Sequence, residues 1–207
     1  MRETRTVIIT DRGAPKAFTI REMPAFAFED WLNSVGDCLY GDDWSNEPDP
    51  MAVARALYTG GPAPLYLVHG GLELLRELES CCSVPFRHGE MPLSPELAEE
   101  YIDDLGTLLM LRREVLKLNL RFLAGKKARR ELNLPREWAF RKALKGRTFA
   151  KPANVPGIVG SVLGQGMASM ADMQSAYGFT DALNMLEVLN VRNYNQWAAQ
   201  EAANHAR

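Results

Sequence analysis

Apolar residues recur at helical spacing from Glu96 to Gly125, with no proline between and Gly106 as the only interior glycine. Tyr101, Leu105, Leu108, Val115 and Phe122 form one line, and Ile102, Leu109, Leu116, Leu120 and Leu123 a second beside it. A double stripe is wider than a coiled-coil seam, so the spacing predicts one long helix packed against several neighbours. Glu96, Glu99, Glu100, Asp103 and Asp104 come first and Arg121, Lys126 and Lys127 last, the order that a helix dipole favours. At ~1.5 Å per residue such a helix would be roughly 40–45 Å long.

Upstream, Thr4 to Thr10 is rich in β-branched residues, Asp11-Arg12-Gly13 is turn chemistry, and Ala17 to Arg21 alternates again. That pattern predicts a β-hairpin. Pro24 then opens an amphipathic helix carrying Phe26, Trp31, Leu32, Val35 and Leu39. Asp49-Pro50 reads as the cap and first turn of a short helix through Leu57, broken by Gly60-Gly61-Pro62. Pro64 to Cys82 predicts a third helix, and Val84 to Pro95 a proline-bearing loop.

Downstream, Glu137 to Leu144 reads as a short helix. Lys151 to Gly166 holds Pro152, Pro156, Gly157, Gly160, Gly164 and Gly166, a composition that predicts a flexible linker. Ser169 to Gln174 suits one helical turn. Thr180 can cap a helix with Leu183, Met185, Leu186 and Leu189 on its apolar face, Asn190 can end it, and a last helix runs from Arg192 with Tyr194, Trp197, Ala198 and Ala202. The expected fold class is mainly α (α+β): an N-terminal β-hairpin, a helical bundle, a flexible linker and a small C-terminal helical module. The expected parts are residues 1–150, ending in a basic segment, then 151–166 and 167–207.

Composition adds little to that outline, but charge does. The chain has 207 residues, 46% hydrophobic and 24% charged, which suits a protein with a real core. Net charge is −2, so no global field points to nucleic acid or membrane. Residues 1–120 nevertheless carry 20 acidic and 11 basic side chains, whereas 121–151 carry 11 bases against Glu131 and Glu137. The basic stretch includes Lys126, Lys127, Arg129 and Arg130, with Trp138 and Phe140 interleaved further on. It could serve nucleic acid or an acidic partner, although a solvated helix end is the plainer account. Arg2, Glu3 and Arg5 stand where a secretory signal would need an apolar run, and no apolar segment approaches the ~18 residues of a membrane span. Three cysteines, two of them adjacent, argue for a reducing compartment over a disulfide framework.

Reactive constellations are not visible. Cys81, Cys82 and His88 lack the paired spacing of zinc ligands, and Cys38 and His69 lie elsewhere. Adjacent carboxylates such as Asp103-Asp104 point about 100° apart on a helix, so they do not converge on a substrate. The glycines from Gly157 to Gly166 match neither the Walker pattern nor the dinucleotide fingerprint. No catalytic residue, metal or cofactor is expected.

Three segments carry a family resemblance. The first is the hairpin leading into Ile20-Arg21-Glu22-Met23-Pro24-Ala25, then Glu29 and Trp31. The second is Leu74-Leu75-Arg76-Glu77-Leu78 with Cys81-Cys82, then Ile102-Asp103-Asp104 through Thr107, Leu111 to Leu118 and Arg121-Phe122. The third is the tail from Met167 to Trp197, with Tyr177 to Leu183 and then Leu186 to Arg192. Together they resemble the tail assembly chaperones of long-tailed, siphovirus-like phages, including a C-terminal extension module. Asn119 departs from that pattern, where histidine is frequent. The resemblance implies a non-enzymatic role in the host cytoplasm. The protein would bind the tape measure protein, keep it soluble, recruit tail tube protein, and be absent from the mature virion.

Physics alone is consistent with that role. A long amphipathic guest helix aggregates unless an apolar face covers it. Leu105, Leu109, Leu116, Leu120 and Leu123 are candidates for one such face, and Leu183, Leu186, Leu189, Tyr194 and Trp197 for a second, although core packing is the commoner fate of such stripes. The alternatives are a nucleic-acid-binding regulator using residues 126–151 and a structural tail or virion protein. Self-association is a further option, and no membrane partner is expected.

Overall fold

In the computed structural model, which describes residues 1–41, 49–87, 89–124, 132, 134–135 and 154–205, β1 (Thr4–Asp11) pairs antiparallel with β2 (Ala14–Arg21). The loop is the two residues Arg12-Gly13, with φ of 44° and 87°. Positive φ at both positions matches the twist of the flanking strands, which is why glycine belongs there. Inward positions Ile9, Phe18 and Ile20 enter the core, and the predicted hairpin is present. The prolines of Val84 to Pro95 do not prevent a second hairpin, β3 (Cys82–Phe86) and β4 (Gly89–Pro92). β3 meets β2 only at Thr19–Ser83 and Ile20–Cys82, so Pro85 lies beyond that ladder and blocks no bond in it. The sheet order is β1-β2-β3-β4, an open antiparallel meander.

Eight α-helices accompany the sheet among the described residues. α1 (Ala25–Tyr40) buries Phe28, Trp31, Leu32 and Val35, and the Trp31 indole donates to the Leu74 carbonyl at 2.9 Å. α2 (Pro50–Gly60) begins at the expected cap, with the Asp49 carboxylate accepting from the Met51 amide at 3.0 Å. The expected helix from Pro64 to Cys82 divides into a 3₁₀ turn, Ala63–Leu67, and α3 (Gly71–Glu79). A Cβ on Gly71 would stand 2.0 Å from the Leu65 carbonyl oxygen, so the close return of the chain at this joint needs glycine.

The single long helix from Glu96 to Gly125 is not formed. It breaks into α4 (Pro95–Tyr101) and α5 (Leu105–Asn119), followed by a 3₁₀ turn, Arg121–Leu123. The region read as a flexible linker also differs, since its described part contains α6 (Gly157–Gly164) with Val159 and Val162 buried. α7 (Met170–Ser175) starts with a capping box between Ser169 and Asp172. The last two expected helices are one, α8 (Phe179–His205), with Asn190 in its interior. Thr180 lies inside α8 and is not its cap. At ~1.5 Å per residue α8 is about 40 Å long.

These C-terminal helices pack on the body. Phe179 sits in the main core, its ring 5.4 Å from that of Phe28 and 5.7 Å from that of Phe122. A second cluster joins Ala25 of α1 to Val159, Val162, Met173 and Ala182. Lys126, Lys127, Arg129, Arg130 and the expected helix from Glu137 to Leu144 lie outside the described residues.

Candidate partner-binding cleft

Asp11 decides where the long helix breaks. It closes β1 and is almost fully buried. Its Oδ2 accepts from the Asp103 amide at 3.0 Å and pairs with the Lys16 ammonium at 2.5 Å, and its Oδ1 accepts from the Thr107 hydroxyl at 3.1 Å. Lys16 also donates to the Tyr101 carbonyl and to the Asp103 carboxylate. The Asp103 amide bond, then the bond from Lys16, hold the Asp11 carboxyl at about 2. An amide spent on Asp11 cannot continue a helix, so the backbone at Ile102–Asp104 opens and α5 restarts at Leu105.

The break creates a cleft of about 390 Å³ between α3, α4 and α5. Ala98, Ile102 and Leu108 line it, with Leu105 alongside. Glu79 and Arg112, also in its wall, are both nearly buried and bound to each other, Arg112 Nε donating to Glu79 Oε1 at 2.7 Å. Arg112 Nη1 donates to the Tyr66 hydroxyl at 2.5 Å, and the guanidinium lies 5.4 Å from that ring's centre. This buried pair ties α3 to α5, and the Tyr66 contact ties α5 to the 3₁₀ turn that precedes α3.

The candidate leucines separate by exposure. Leu105 and Leu109 are 66% and 38% exposed on α5, with Met110 beside them at 60%. Leu116 and Leu120 are core residues at 2% and 1%. Leu123 is half-buried. On α8, Leu183 and Leu189 are buried while Leu186, Tyr194 and Trp197 are half-buried, with the last two rings 5.8 Å apart. Leu109 and Leu116 are seven positions apart on one face of the continuous helix α5, so they differ by position along its axis: on that face the core covers the later turns and leaves the first turns open. Met110 was not among the sequence candidates. The signal for it was its position off both apolar lines, where an apolar side chain has no core to enter.

Other groups bear on chemistry. Burial pushes the Cys81 thiol up to about 11 and the Cys82 thiol higher still, so neither is a thiolate at neutral pH. Among the described residues no three His, Cys, Asp or Glu side chains gather as metal ligands, and no helix is long and apolar enough to cross a membrane. Comparison with known protein families, with curated proteins and with solved structures finds no match to this chain.

Proposed function

We propose that this protein is a phage tail assembly chaperone that acts by reversible binding, without a cofactor and without catalysis. Its guest would be the tape measure protein, held soluble in the host cytoplasm while tail tube protein is recruited. The observation that supports this most is the exposed apolar row Leu105, Leu109 and Met110, set beside an open cleft on a surface otherwise rich in carboxylates. At about 25 cal/mol per Å², covering such side chains yields a few kcal/mol in all, enough for capture and weak enough for release. The resemblance across the hairpin, the α5 region and the C-terminal segment points to the same role.

Co-expression with the tape measure protein tests the reading. The guest is expected to become soluble and to co-purify, and Leu105→Ser with Met110→Ser should reduce both effects. A tape measure protein that stays insoluble with the chaperone present, and does not co-purify, removes the proposal.

A further inference from the structure

We infer that the cleft between α3, α4 and α5 receives an amphipathic helix whose apolar face is flanked by lysine or arginine. The inference rests on the chaperone reading and specifies the chemistry of the guest at that site. The cleft is apolar at Ala98, Ile102 and Leu108 and continues outward onto Leu105. Its charged rim is unequal in sign. Glu99, Asp103 and Asp104 are exposed around it, against Arg76 on the α3 side, while Arg112 is already neutralised by Glu79.

The acids differ in how far they are engaged. Asp103 holds Lys16 at 2.9 Å. Asp104 stands at the cap position of α5 but makes no capping bond with its side chain. An exposed carboxylate of this kind can pair with an incoming cation without giving up a protein partner. An apolar helix face at spacing i, i+3, i+4, i+7 places its flanking residues on either side of the groove. Basic flanks there meet Glu99 and Asp104, and acidic flanks meet like charge, which selects against them. The same rim disfavours a second copy of this chain, because two-fold pairing across the cleft would set its acids against themselves.

Two model peptides test this. Both carry one leucine face at helical spacing, one flanked by lysine and the other by glutamate, and binding to the full chain is read by fluorescence anisotropy. The lysine peptide is expected to bind roughly tenfold tighter or more at low salt, with the gap closing as salt rises. The double variant Glu99→Lys, Asp104→Lys should reverse the order of the two peptides, and Leu105→Ser with Met110→Ser should weaken both. Circular dichroism confirms that the variants are folded. Equal affinity for the two peptides overturns the inference, as does a charge reversal without effect. A dimer in sedimentation that the same leucine and methionine variants dissolve also overturns it, since a second copy would then cover the face. If the peptides show no preference while the tape measure protein still co-purifies, the cleft assignment fails and the chaperone reading stands.

Discussion

The carboxylate of Glu29, fully buried in α1, accepts hydrogen bonds from the backbone amides of Ile158 and Val159 at 2.6 and 2.8 Å. Burial pushes this carboxyl above its ordinary range, and the two amides pull it back. The first-turn amides of α6 have no partner within their own helix, so Glu29 serves as a cap supplied from elsewhere in the chain. Glu29→Ala leaves two amides unpaired and is expected to cost about 2–4 kcal/mol. Glu29→Gln, which keeps one acceptor oxygen, should cost less. Urea unfolding gives the cost, and faster hydrogen exchange at Val159 and Val162 would localise it to α6.

Leu105 and Leu116 lie on neighbouring lines of one stripe and should respond oppositely. Leu116→Ala empties a core position and is expected to cost about 2–5 kcal/mol. Leu105→Ser changes an exposed side chain and should stay within about 0.5 kcal/mol. Thermal or urea unfolding of the two variants separates them, and only the exposed change should impair guest binding at unchanged stability.

Arg112 and Glu79 hold the wall of the cleft. Arg112→Met leaves the Glu79 carboxylate buried without its partner, a change expected to cost about 3–5 kcal/mol. The double variant Arg112→Met, Glu79→Leu should recover much of that loss. A double-mutant cycle on unfolding free energies checks the coupling.

Asp11 makes stability depend on acid. Its carboxyl lies at about 2 in the folded chain, below the ordinary value, so its contribution is present above about 4 and lost as pH falls towards 2. Asp11→Asn should reduce this acid sensitivity and speed hydrogen exchange of the Asp103 amide. A variant whose acid unfolding curve matches that of the parent chain would contradict the assignment.

Glu22 has the opposite sign. It is buried at the junction with α8, where its Oε2 accepts from the Glu3 amide at 3.0 Å and from Arg121 at 3.1 Å, and its Oε1 has no hydrogen-bond partner. Burial, then the Asp181 carboxylate, push it up to about 7 against the opposing charges of the N-terminal amine and Arg2. Arg121 also favours the ionised form, but the unpartnered oxygen shows how incompletely the carboxylate is solvated. Stability from this group is greatest below about 4.5 and declines as pH rises to about 7. Glu22→Gln should flatten that decline in urea unfolding followed against pH. Gly178→Ala places a Cβ 2.4 Å from the Glu22 carboxyl carbon and should destabilise the chain by about 1–3 kcal/mol throughout the pH range.

Local chemistry determined a good part of this protein from its sequence. The Arg12-Gly13 turn, the Asp49 cap, the Ser169 cap and the apolar face of α1 each act within a few residues, and each is in place. Tertiary structure decided the rest. Asp11 breaks the α4–α5 helix by taking an amide 92 positions away, and Glu29 secures a glycine-rich helix 129 positions away. Asn190 continues α8 although asparagine often ends helices, with its neighbour Leu189 buried. Helix preferences differ by less than ~1 kcal/mol among these residues, whereas buried hydrogen bonds to a carboxylate are worth more than that. Which turns of α5 are covered depends on where the rest of the fold ends along its axis, so no reading of the stripe alone could separate Leu105 and Leu109 from Leu116 and Leu120.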